Sequence, residues 1–289
     1  MLDRLYAAYN HEDAAQDPIQ IVRQFDRPDD REVVGFLASG LAFGRVASVL
    51  QSIERVLAVM GPYPARFVRE FDPERHGQAF SGIVHRWTRG PDLAALVWVL
   101  GRIIRDAGSI ERFFVAGDDP SAPDIGPALE SFSRRALEFD VSQVYGHVPS
   151  RAGVCYFFPK PSLGSGCKRL NLYLRWMVRR DRVDLGLWSG LSPSRLVVPL
   201  DVHVVRLGRC LGLTRYKSPG WKMAAEITAS LRQFNASDPV RYDFALCHVG
   251  MRDECGDRRP HRDSRCPLKG FCRPGPGTPS AFPPPSGRR

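Results

Sequence analysis

The residues best suited to chemistry lie in two short runs. The first is Leu163-Gly164-Ser165-Gly166-Cys167-Lys168-Arg169-Leu170-Asn171-Leu172. Two glycines flank a serine directly before a helical pattern. Such a turn exposes backbone N–H groups at the positive end of the helix dipole, where a phosphate can sit. Lys168 falls in the first turn of that helix. Positive surroundings favour a lysine's neutral amine, and a neutral amine can attack a sugar C1′ or a carbonyl to form a Schiff base. A solvated lysine that only contacts phosphate is the simpler reading of this run alone. The second run, Val197-Val198-Pro199-Leu200-Asp201-Val202-His203-Val204-Val205-Arg206-Leu207, sets one carboxylate in an apolar stretch. A buried carboxylate needs a partner. Asp201 reads either as the N-cap of a helix over 203–211 or as a carboxylate set against a reacting amine or a developing positive charge.

The elements that must hold these residues are helices. Val33, Val34, Leu37, Leu41, Val46, Val49, Leu50, Ile53 and Leu57 recur at spacings of three and four over 31–60, and Gly61-Pro62 ends the stretch. Helices are also expected over 65–71, 80–87, 93–107, 109–115, 126–139 and 167–180, while β-type alternation is scarce. Residues 148–165 read as a Pro/Gly-rich loop, and 274–289, mostly Pro, Gly and Ser, as a disordered tail. The expected fold class is all-α.

The chain has 289 residues, 43% hydrophobic and 25% charged, an ordinary globular balance that permits a sizeable core. No apolar run approaches the ~20 residues of a membrane span. The N-terminus lacks a basic head followed by an apolar stretch, so the cytoplasm is the expected compartment and no membrane partner is expected. The net charge is +10. Residues 168–273 carry 21 Lys+Arg against 10 Asp+Glu, so the whole excess sits in about a third of the chain. A polyanion partner, nucleic acid first, is the natural expectation. An arginine-rich proteome would raise the total without placing it on one side.

The first run resembles the helix-hairpin-helix of the endonuclease III class of DNA glycosylases: a Gly-x-Gly hairpin at Gly164 and Gly166, the lysine at Lys168 and an asparagine at Asn171. The second resembles the superfamily's Val-Asp-Thr-His-Ile-Phe-Arg-Val, placing Asp201, His203 and Arg206 at matching positions. Phe36-Leu37-Ala38-Ser39-Gly40-Leu41 resembles the Leu-Leu-Ser-x-Gln region that opens the superfamily's helical domain, with Leu41 where glutamine is usual. Leu163 replaces the usual proline before the hairpin, and Leu170 the usual small residue. The longer gap between Lys168 and Asp201 is similar to that of the archaeal oxoguanine glycosylase branch. Closer still, Asp17-Pro18, Gly40-Leu-Ala-Phe-Gly-Arg45, Cys167-Lys-Arg-Leu-Asn171, Arg175-Trp-Met-Val-Arg179 and Asp184-Leu-Gly186 resemble an uncharacterised bacterial domain family, which we place in the same superfamily.

The resemblance implies two helical subdomains with a cleft between them: 30–185, ending in the helix-hairpin-helix, and 1–29 plus 186–273. It implies a monomeric base-excision repair glycosylase with abasic-site lyase activity, acting on damaged duplex DNA. Gly164, Ser165, Gly166 and Arg169 would hold phosphate, His203 and Arg206 would face the DNA, Asp201 would help deprotonate Lys168, and Lys168 would attack C1′. Tyr156, Phe157, Phe158 or Trp176 could stack on a flipped base, although core packing is the plain reading of each. The alternative is a helix-hairpin-helix protein that grips DNA without chemistry, which would not need Asp201.

The class also carries a four-cysteine iron–sulfur loop ending in C-x5-C. Cys255, Cys266 and Cys272 match its positions, and Cys247 is the fourth thiolate available, because such clusters want four. A 4Fe-4S cluster is thus the expected cofactor. Zinc on the same residues, or with His261 in place of one cysteine, is the alternative, and free thiols without metal are the third reading.

Overall fold

Periodicity places most of the elements and misplaces one that matters. The computed structural model describes residues 1–12, 17–251 and 266–271. Helix makes up 60% and strand 2%, so the all-α expectation holds. Two short helices, α1 (Leu2–Tyr9) and α2 (Ile19–Arg23), come first. The apolar stretch 31–60 is two helices, α3 (Pro28–Gly40) and α4 (Val46–Met60), parted by a turn at 41–45. Pro28 opens α3 where its missing N–H has no helical partner to lose. After α5 (Pro64–Glu70) and α6 (Pro73–His76), the segment 80–87 departs from the expected helix. A 3₁₀ turn (Gly77–Phe80) leads into an antiparallel ribbon, β1 (Val84–His85) and β2 (Thr88–Arg89). The physical reason is tertiary: as a strand, His85 turns inward, its Nδ1 2.8 Å from Ser52 Oγ and its Nε2 donating to the Phe43 carbonyl at 3.1 Å.

α7 (Gly90–Ala107) is buried on nearly every side and forms the middle of the N-terminal half. The Asp92 carboxylate accepts from Arg89 N at 2.9 Å at its start, and Gly108 ends it in the left-handed region. α8 (Ile110–Val115), capped by Ser109, α9 (Gly126–Leu137) and α10 (Ser142–Tyr145) follow. The loop 148–165 contains two 3₁₀ turns (Gly153–Phe157 and Pro161–Leu163) and delivers the chain to α11 (Lys168–Val178). The hairpin therefore has an α-helix only on its C-terminal side. α12 (Val202–Cys210), α13 (Trp221–Arg232) and α14 (Asp243–Met251) complete the described helices.

α3 packs most extensively against α11. Between them Phe36 meets Tyr173 edge-on at 5.1 Å and Phe158 at 5.6 Å. Phe157, Phe158 and Trp176 are thus core residues, each no more than 1% exposed. At the other end α1 and α12 both pack on α14, and Tyr242 Oη donates to Asp3 Oδ1 at 3.0 Å. A buried ion network joins these parts. Arg175 donates to Asp184 at 3.2 Å and to Asp243 at 2.6 Å. Arg179 pairs with Asp184, with Asp181 at 2.9 Å and with Asp238 at 2.8 Å. Charges buried this deeply persist only when paired, so the network fixes α11 against α14 and the 181–184 turn. No helix among the described residues is long and apolar enough to cross a membrane.

Candidate active site

α11 begins abruptly. Gly164 takes φ +79 and Cys167 takes φ +46, two left-handed residues that fold the hairpin back on itself. Ser165 Oγ accepts from Cys167 N at 3.1 Å, and Asn171 Nδ2 donates to Gly166 O at 3.1 Å. The start of α13 docks on this turn: Trp221 N donates to Gly164 O at 3.4 Å, and a Cβ on Gly220 would lie 2.7 Å from that oxygen. The exposed lysines Lys217 and Lys222 flank this contact. Sequence spacing had not singled them out, because they are near the hairpin only through the docking of α13.

Lys168 and Asp201 both line a cleft of about 400 Å³. One face of α11 supplies Lys168, Leu172 and Arg175. The start of α12 supplies Asp201 and His203, α14 supplies Asp243, Cys247 and His248, and the α3–α4 turn supplies Phe43. Lys168 Nζ is half-buried and donates to the Ala42 carbonyl at 3.5 Å. Asp201 is the N-cap of α12: Oδ1 accepts from His203 N and Val204 N, both at 2.8 Å. Its other oxygen accepts from the thiol of Cys247 at 3.3 Å. One oxygen thus caps the helix, as expected, while the other is taken by the Cys247 thiol at the wall of the cleft.

The surroundings set the charge states. Burial pushes Asp243 up to about 6 even with Arg175 beside it. Burial, then the Asp201 and Asp243 charges, raise the Cys247 thiol well above its ordinary range, with Lys168 acting in the opposite sense. Burial lowers His248, whose Nδ1 lies 2.8 Å from the Phe244 carbonyl. Asp243 Oδ1 and Arg175 Nη2 are buried without a hydrogen-bond partner among the described residues.

The other sequence-derived candidates divide. Gly164, Ser165 and Gly166 form the hairpin, and His203 lines the cleft. Arg169 turns inward: its guanidinium donates to Gly40 O at 3.2 Å and to Tyr156 O, and lies 5.3 Å from the Phe43 ring. Burial lowers it to about 10. Arg206 donates to the Gly250 carbonyl, fastening α12 to α14. Of the four cysteines, Cys247 sits in the cleft and Cys266 is buried, whereas Cys255 and Cys272, like His261 and the expected tail 274–289, lie outside the described residues. Among the described residues no three His, Cys, Asp or Glu are grouped to hold a metal. Of the expected stacking residues only Tyr156 is exposed. Phe43, which the sequence reading did not single out, lines the cleft instead, with the Trp87 ring stacked on it.

Fold and cleft define an all-helical protein with a lysine and a carboxylate from distant segments facing one cavity. Residues 17–252 match the family described as protein of unknown function (DUF2400), and the chain belongs to that family. No curated protein and no solved structure is matched by the chain.

Proposed function

We propose that this protein is a cytoplasmic, monomeric DNA base-excision glycosylase with abasic-site lyase activity, a member of the helix-hairpin-helix glycosylase superfamily that acts on damaged duplex DNA. The observation that carries this reading is the meeting of Lys168 and Asp201, from two separate motifs, in one cleft. The cleft's volume suits a single nucleotide taken out of the stack rather than a duplex. The hairpin amides, with Lys217 and Lys222 beside them, hold phosphates, which fixes position but not sequence.

In the reaction, Asp201 accepts a proton from Lys168 and then faces the positive charge that develops on the sugar. The Lys168 amine attacks C1′ as the C1′–base bond breaks, and the base leaves with the bonding pair and takes up a proton. Opening of the C1′–O4′ bond leaves a protonated imine. Loss of a C2′ proton then expels the 3′ phosphate and nicks the strand. The proposed 4Fe-4S cluster rests on the spacing of Cys255, Cys266 and Cys272, with zinc the alternative; it takes no part in these steps.

The test is borohydride trapping of the purified protein on oligonucleotides holding an abasic site, uracil, oxoguanine or an oxidised pyrimidine. A covalent adduct is expected with at least one substrate and is expected to vanish in Lys168→Gln. No adduct with any of them, or one undiminished in that variant, overturns the reading and leaves the non-catalytic DNA-binding alternative.

A further inference from the structure

Outward from Phe43 on the cleft wall runs a group of aromatic rings that neither the core nor the lysine chemistry uses. The β1–β2 turn holds up Trp87, 52% exposed. Its indole lies nearly flat on Phe43, with centroids 4.6 Å apart and an interplanar angle of 20°. Phe43 itself lines the cleft. Tyr156, 48% exposed, has its ring 6.1 Å from that of Trp87. Leaving an indole face in water forgoes the gain that burying it would bring.

The fold nonetheless fixes this arrangement from several sides. His85, anchored at Ser52, holds the Phe43 carbonyl and meets the Phe43 ring edge-on at 4.5 Å. The Arg169 guanidinium lies 5.3 Å from the same ring. Arg86 takes φ +55, a region non-glycine residues seldom occupy. That conformation lays its guanidinium against Gly44, where a Cβ would come 2.8 Å from Arg86 Nε. Arg45 and Arg89 stand two residues from Phe43 and Trp87 in sequence and Arg86 directly before Trp87; all three are exposed, and none forms an ion pair with a described residue. A flat aromatic face beside unpaired arginines is complementary to a planar base on a phosphate backbone. An apolar peptide would use the rings but leave the arginines unmatched.

We propose that Trp87, backed by Phe43, is the stacking platform for an unpaired nucleobase next to the nucleotide in the cleft, with Arg45 and Arg86 on the flanking phosphates. This rests on the nucleic-acid reading above and names the form of nucleic acid preferred: a strand with an unstacked base.

The test uses the full chain with three oligonucleotides of one sequence: a single strand, a duplex with a one-base bulge, and the intact duplex. Tryptophan fluorescence should be quenched by the first two. In Trp87→Ala the quenching should be lost, and affinity for the single strand and the bulge should fall about tenfold or more, against less than twofold for the intact duplex. Trp87→Phe should keep most of the affinity. Because the indole is exposed, thermal melting of Trp87→Ala should match the parent, which separates lost binding from lost folding. An equal loss on all three ligands, or none on any, overturns the platform, as does tight binding of an uncharged apolar peptide that displaces the single strand. Lys168→Gln should still show the quenching. Trapping that succeeds while Trp87→Ala binds bulged DNA normally sinks the platform alone; quenching without trapping sinks the lysine chemistry alone.

Discussion

The thiol of Cys247 donates to the Asp201 carboxylate oxygen that α12 does not use, across 3.3 Å. This contact places a cysteine considered as a metal ligand inside the cleft, against the carboxylate considered for proton transfer. A thiol that donates here keeps its proton, whereas a metal ligand gives it up, so the contact and the ligand role are alternatives for this cysteine. In this contact it holds one oxygen of Asp201 in position.

Cys247→Ser should therefore fold normally, since a serine hydroxyl can make the same hydrogen bond. It should retain whatever metal the protein carries. Cys266→Ser and Cys272→Ser are expected to lose iron and the visible absorbance of a cluster. Metal analysis of the three variants checks this. Iron lost from Cys247→Ser at an unchanged melting temperature would return Cys247 to the ligand set.

Asp201 caps α12 and, in the proposed reaction, accepts a proton; a substitution can separate the two. Asparagine is as good an N-cap as aspartate, so Asp201→Asn should melt within about 1 kcal/mol of the parent while losing the proton acceptor. Its trapping rate should fall by roughly 10²-fold or more, the usual scale for a positioned base. Asp201→Ala should lose about 1 kcal/mol of stability as well. Equal trapping by Asp201→Asn and the parent would reduce the carboxylate to a cap.

How much of this was legible in the sequence differs from residue to residue. Asp201 was readable as a cap because the signal is local: one acidic residue before a helical period. Lys168 was placed correctly at the start of its helix for the same reason. The fate of the arginines was not readable. Arg169, Arg175, Arg179 and Arg195 all fall in the positive segment, yet they point inward, to carbonyls or to Asp118, Asp184, Asp238 and Asp243. Those partners lie up to 129 residues away in sequence, so no window could pair them. Charge counting therefore overstates the free positive surface. The Trp87 ribbon was missed because 80–87 carries apolar residues at helical spacing; the buried contacts of His85 with Ser52 and Phe43 outweigh that local preference.

The hairpin glycines should respond unequally to alanine. At Gly164, φ +79 strains any side chain, at about 1 kcal/mol. At Gly220 the backbone is extended, but a Cβ would strike Gly164 O at 2.7 Å, so Gly220→Ala must push α13 off the hairpin, at roughly 1–3 kcal/mol. At Gly166 a Cβ would make ordinary contact with Leu200 at 3.4 Å. Gly166→Ala should fold like the parent, and any loss of oligonucleotide binding there reports phosphate contact rather than stability. Melting curves and binding anisotropy of the three variants, taken together, check the ordering. Gly166→Ala as the least stable of the three would contradict the packing described.

Asp243 gives the protein a pH signature of definite sign. Burial raises its carboxyl from the ordinary 3.8 to about 6. Between those values the folded chain holds a proton that the unfolded chain has released, so this group's contribution to stability declines as pH rises from about 4 to about 6 and is constant above. Asp243→Asn removes the titration and keeps the shape. The stability difference between the two proteins should therefore move in the variant's favour by on the order of 1–3 kcal/mol between pH 4 and 6, then hold steady to pH 8. Asp181 works in the opposite sense. Although burial opposes it, Arg179 holds its carboxyl below the ordinary value, so its contribution is present at neutral pH and lost as pH falls. Paired melts of parent and Asp243→Asn across this range isolate the Asp243 contribution from that background. A difference moving in the parent's favour as pH rises would mean that Arg175, 2.6 Å away, outweighs burial and holds Asp243 ionised throughout.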